Sequence, residues 1–197
     1  MRLSRLSCFV RAAMAAGLLL PGAVRAQDQG AAPDQQPLYL YGDAPAACVI
    51  NQPRATNAQN ATFAAGSVGS GQITITQLVD NQTAMARPTS IELDFPVVCN
   101  SSHSVVVRSN NGGLLRSGAQ AGSTAGGGFS EFLPYQVAID WAGMNLVRQS
   151  DAGTASIASS DPARGDMAIR ISTPAGGGPL VAGEYSDAIV VELVPAN

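Results

Sequence analysis

Ser90-Ile91-Glu92-Leu93-Asp94-Phe95 alternates apolar and acidic side chains without a break. Successive side chains of an extended chain point to opposite faces. The alternation therefore sends Ile91, Leu93 and Phe95 inward and leaves Glu92 and Asp94 in water. This is the pattern of a half-buried strand, and it sets the reading of everything around it.

The same period recurs in both directions along the chain. Residues 72–79 put Ile73 and Ile75 on one face and threonines on the other. Residues 105–107 (Val-Val-Val) form an apolar run, residues 136–141 place Val137 and Ile139 together, and residues 167–171 align Met167, Ile169 and Ile171. Residues 188–194 give a last strand, and Trp141 is expected in or near the core. Between these runs stand turn formers: Asn110-Asn111-Gly112-Gly113, Gly126-Gly127-Gly128 and Gly176-Gly177-Gly178-Pro179, because Asn and Gly tolerate positive φ. No window outside the N-terminus has helical periodicity. Some seven to nine short strands with regular turns predict one all-β domain, a β-sandwich.

The N-terminus reads as an export signal. Arg2, Arg5 and Arg11 precede an apolar run over residues 12–20, and Val24-Arg25-Ala26 offers small residues for cleavage between Ala26 and Gln27. The run is shorter than the roughly 20 residues needed to span a bilayer. The expected organisation is a cleaved signal peptide over 1–26, an N-terminal extension over 27–47 and the β-domain over 48–197, exported to the periplasm and then to the cell surface. Removing the leader takes four of the eleven arginines and no acid. Seven cations then face fourteen acidic groups, a mature charge of −7 with no lysine anywhere. Such a surface argues against nucleic acid, which is bound by a basic face that displaces counterions, and against anionic membranes.

Two cysteines remain after cleavage, Cys48 and Cys99. An even pair in an exported chain predicts a disulfide, worth roughly 4 kcal/mol for a loop of this length. With one histidine, His103, and no ligand spacing, no metal site and no cofactor are expected.

No catalytic constellation emerges. His103 sits near Ser101 and Ser104, a commonplace neighbourhood, and is expected at the surface or a strand edge. Glu92 and Asp94 could be a carboxylate pair, but the alternation already accounts for them as a solvated face. Gly66-Ser-Val-Gly-Ser-Gly71 lacks the helix start and Lys-Ser/Thr pair that would hold phosphate, and reads as a loop. The Asn60, Asn81 and Asn100 sequons are read as chance. The chain is expected not to be an enzyme.

Residues 37–47 are unusual. One face reads Leu38, Leu40, Gly42, Ala44 and Ala46, the other Tyr39, Tyr41 and Asp43. Two readings stand: an ordinary first strand, or a strand that leaves its own domain to pair with another subunit.

Several segments together resemble one family. Val98-Cys99-Asn100, followed by residues 105–114 (Val-Val-Val-Arg-Ser-Asn-Asn-Gly-Gly-Leu), resembles the Cys-Asn…Ser-x-Asn-Gly-Gly-Leu segment of the spore coat protein U domain family, which includes the Csu-type pilins of the archaic chaperone–usher pathway. Residues 132–140 look like its next strand. Gly183, Tyr185 and Asp187 match its terminal Gly-x-Tyr-x-Asp, and Ala47-Cys48-Val49 its first cysteine position. The resemblance covers roughly residues 47–194. Phe63 and Gly66 stand three apart where many members carry a Phe-Gly pair.

The resemblance implies an incomplete immunoglobulin-like β-sandwich of pilin type, lacking its final strand, with an N-terminal donor-strand extension. A periplasmic pilus chaperone would lend a strand, and at an outer-membrane usher the extension of a neighbouring pilin subunit would replace it. Leu38, Leu40, Gly42 and Ala44 would be the donor positions. The implied function is a shaft, minor or adaptor pilin of a surface fimbrium that supports cell adhesion and biofilm formation. The competing reading is a self-contained secreted β-sandwich that binds a ligand or carbohydrate.

Overall fold

The computed structural model describes residues 36–67, 69–121, 123 and 125–196. The expected leader and the expected cleavage site at Ala26 and Gln27 lie outside them. The chain divides into two units, Met1–Gly42 and Asp43–Asn197. In the first, residues 36–42 carry no strand. Leu38, Tyr39, Leu40 and Tyr41 are exposed, and the rings of Tyr39 and Tyr41, two residues apart, stack at 6.5 Å.

The second unit is all-β. In chain order its strands are β1 (Cys48–Ile50), β2 (Arg54–Gln59), β3 (Ala61–Ala65), β4 (Gly71–Ile75), β5 (Thr89–Cys99), β6 (His103–Ser109) and β7 (Leu114–Arg116). After them come β8 (Phe132–Leu133), β9 (Gln136–Trp141), β10 (Met144–Gln149), β11 (Ala155–Ser159), β12 (Ala163–Thr173), β13 (Tyr185–Ser186) and β14 (Ile189–Pro195). Two short 3-10 turns are the only helical elements among the described residues, and no helix there is long and apolar enough to cross a membrane.

The larger sheet runs β1-β5-β12-β9-β10, with β2 also paired to β5. A second sheet runs β11-β6-β14, a small one β13-β7-β8, and β3-β4 forms a separate hairpin. The named strand pairs are all antiparallel. The alternation in the sequence dictates which faces meet. Val97, Met167, Ile169, Ile139 and Trp141 from the first sheet share one core with Val105, Val107 and Ile157 from the second. Ile169 lies opposite Leu93 on one side and Ile139 on the other, so each layer of the core is a row across three strands. Two sheets burying one face each against a common core is a sandwich arrangement. Each fully buried aliphatic side chain contributes about 1.5–3 kcal/mol to that core.

Cys48 and Cys99 are bonded and lie directly opposite in the β1–β5 register. The predicted inward residues Ile91, Leu93, Val137, Ile139, Met167 and Ile169 are buried, as is Trp141. Three expectations are corrected. Residues 37–47 carry no strand, so they are not the ordinary first strand of the domain; that strand is β1. The run 72–79 ends at Ile75 because the Asn60 side chain takes over the backbone beyond it. Asn60 Oδ1 accepts from the Gln77 N–H (3.0 Å), and its Nδ2 donates to the Gln77 carbonyl (2.8 Å).

His103 is the third. It is not a surface residue but 2% exposed. It opens β6 on the same face as Val105 and Val107 and accepts a hydrogen bond from the Trp141 indole N–H at Nε2 (2.8 Å). Its Nδ1 faces the Ser101 carbonyl at 2.9 Å. The period of two through 103, 105 and 107 was the overlooked signal.

Candidate functional site: an apolar groove beside an unpaired strand

β14 pairs with β6 on one side only; among the described residues no strand pairs with its other edge. A β-strand offers backbone donors and acceptors to both sides, so this edge carries a row of unused groups. Ile189, Val191 and Leu193 are only partly buried against the core. β4 is in the same state: among the described residues it pairs with β3 alone.

The two half-used strands flank one groove of about 780 Å³. Its floor is the inward face of β5 and β12, represented by Ile91, Leu93, Phe95, Ile169 and Ile171. One wall is the continuous stretch 69–75 and the other the continuous stretch 185–189 with Val191. Consecutive residues along a strand alternate their side chains between faces. A wall made of every residue in turn, as at β4, therefore presents backbone edge as well as side chains. On the other side β14 lines the groove through Ile189 and Val191, alternate side chains of its inward face. The groove thus offers hydrophobic contact from below and from β14, and the unpaired backbone edge of β4.

Asp187 is the only charged residue among the described lining. Its carboxylate is fully used. Tyr135 Oη donates to Oδ2 (2.6 Å), as does the Ser109 hydroxyl, while the Asn111 and Ala188 amides donate to Oδ1 (2.9 and 2.8 Å). Burial, and next the hydrogen bond to Asp187, push the Tyr135 phenol above its ordinary value. The cluster pins the start of β14 to the end of β6, which fixes the groove wall.

The other candidate residues of the β-domain do not line this groove. Glu92 pairs with Arg170, its cross-strand neighbour on β12, and Asp94 lies 4.0 Å from Arg54; both are held on the solvent face. The ligand atoms of Cys48, Cys99 and His103 lie within 4.8 Å of one another. The two sulfurs are bonded to each other and both imidazole nitrogens have partners, so the cluster is engaged in the fold. Leu38 and Leu40 are each 86% exposed, and Gly42 and Ala44 are exposed too. The walls of the groove were missed in the sequence because an edge is defined by what does not pair with it.

No family model, no curated protein and no solved structure matches this chain.

Proposed function

We propose that the chain is a structural subunit of a surface fibre whose groove takes up an apolar strand from a neighbouring subunit, as in an incomplete immunoglobulin-like pilin. In this reading residues 36–44 are the strand it gives in return. The single observation that carries the proposal is the groove between β4 and β14, two strands each paired on one side only, with an apolar floor between them.

An inserted strand gains ladder hydrogen bonds at about 1 kcal/mol net each, and its alternate side chains enter the floor. Leu38 and Leu40 point to one side of an extended chain, and burying both contributes roughly 3–6 kcal/mol. A subunit that gives from one place and receives at another makes heterologous contacts. Such contacts propagate instead of closing.

Before assembly the groove is an aggregation hazard, and the partners this requires are a periplasmic strand-lending chaperone and an outer-membrane usher. The disulfide suits the oxidising compartment such a route passes through.

The test uses the purified chain 27–197 and a synthetic peptide of residues 36–46. The chain is expected to self-associate head to tail. The peptide should cap it, giving a monomer with a raised melting temperature. Leu40→Asp in the chain should stop self-association while leaving peptide binding intact. A stable monomer indifferent to the peptide overturns the proposal and favours the self-contained binding module.

A further inference from the structure

Immediately before β1, three hydrogen bonds converge from one residue. Asn100 follows Cys99 at the end of β5. Its Oδ1 accepts from the Ala47 N–H (2.7 Å) and its Nδ2 donates to the Pro45 carbonyl (2.9 Å). Its own backbone N–H donates to the Ala47 carbonyl (3.1 Å). An asparagine can both donate and accept through one amide, so it grips two consecutive peptide units in a way that aspartate or alanine cannot. The disulfide one residue further on ties Cys48 to Cys99. The chain is therefore fixed to the domain from Pro45 onward, three residues before its first strand.

The residues on the other side of this grip are themselves restricted. Pro45 has a locked φ and no N–H, and the residue before a proline, Ala44, is confined to extended conformations.

We infer that Asn100 is a positioning residue for the joint between successive subunits: it sets the point at which the donated arm leaves the domain, and so the angle and stiffness of the fibre at each junction. The inference rests on the function proposed above. If residues 36–44 are the donated strand, it ends where the grip begins, at Pro45. Without the Asn100 side chain Pro45 and Ala46 are released as well, a free span of about 7 Å, up to the Ala47 carbonyl, which the backbone N–H of residue 100 still holds. The grip also removes Ala46 from the donated face: it belongs to the anchored segment, and the strand available to a neighbour ends at Ala44.

Fibres of wild type, Asn100→Ala and Asn100→Asp are compared by electron microscopy for the bend angle between consecutive subunits, and the subunits by amide hydrogen exchange. Asn100→Ala should raise exchange at Ala47 about tenfold, as loss of a hydrogen bond near 1.4 kcal/mol implies, and should broaden the bend-angle distribution. Asn100→Asp keeps the acceptor for Ala47 and loses the donor to Pro45. It should keep Ala47 protected and give an intermediate breadth. It also serves as the readable variant if the alanine form does not fold. Faster exchange at Ala47 with an unchanged bend-angle distribution overturns the positioning role while leaving the proposed function standing. Unchanged exchange in the alanine variant overturns the grip itself. A wild-type chain that forms no head-to-tail assembly overturns the proposed function and the joint with it.

Discussion

Tyr135 is 2% exposed and donates to Asp187. Burial and that carboxylate both oppose ionisation, so its folded-state pKa is raised above the unfolded value near 10. A group whose pKa is raised on folding contributes stability that is fully present below the unfolded pKa and is lost as pH climbs toward the folded one. The domain should therefore lose stability above pH 10, by up to about 1.4 kcal/mol per pH unit from this residue. Tyr135→Phe should flatten that loss. Tyr185, raised in the same direction chiefly by burial, preserves part of the slope. Urea midpoints measured between pH 9 and 11.5 check the sign: a variant as alkali-sensitive as the wild type contradicts it. At the same scale, no buried side-chain nitrogen or oxygen among the described residues lacks a partner. The His103–Trp141 pair shows how that is achieved in an otherwise apolar core.

The hairpin β3-β4 is the less obvious wall of the groove, and one glycine makes it fit. A Cβ at Gly71 would stand 2.4 Å from the Phe63 ring on the opposite strand, where the two residues are near-neighbours in the register. Phe63 packs on Ala61, Ile91 and Leu93. Gly71→Val should push the ring off that cluster, at a cost of about 1–3 kcal/mol, and lower the affinity of the chain for the 36–46 peptide. Thermal unfolding with and without peptide separates the two effects. Unchanged peptide affinity would remove β4 from the binding groove. The strands joined by tight turns follow local rules more simply: Ala142 and Gly143 both have positive φ (52° and 76°), the geometry of a two-residue hairpin between β9 and β10. An alanine at such a site is why that hairpin gave no turn signal.

For the molecule as a whole, the disulfide closes a loop with a sequence separation of 51 and fastens β1, a three-residue strand, to the long β5. The chain-entropy argument puts its contribution at roughly 4 kcal/mol, a large share of the 5–15 kcal/mol typical of a domain. Replacing both cysteines by serine should lower stability by about that amount. A denaturation midpoint within error of the wild type would show that β1 is held by packing alone.

The amino-acid sequence by itself determined the class of the fold, the inward residues of the long strands and the disulfide. Each follows from local alternation at residues such as Ile91, Leu93, Ile139 and Ile169, or from the pair of cysteines that stand beyond the expected leader. It did not disclose the exposed strand β2, whose six residues have no apolar face to show. Nor did it reveal the burial of His103, whose partner lies 38 residues away. The groove, its two half-paired walls and the grip of Asn100 on residues 45–47 were decided only by tertiary structure. An unpaired edge is a relation among strands distant in the chain. The residues that form it, Gly71–Ile75 and Ile189–Pro195, read in sequence like any other strand.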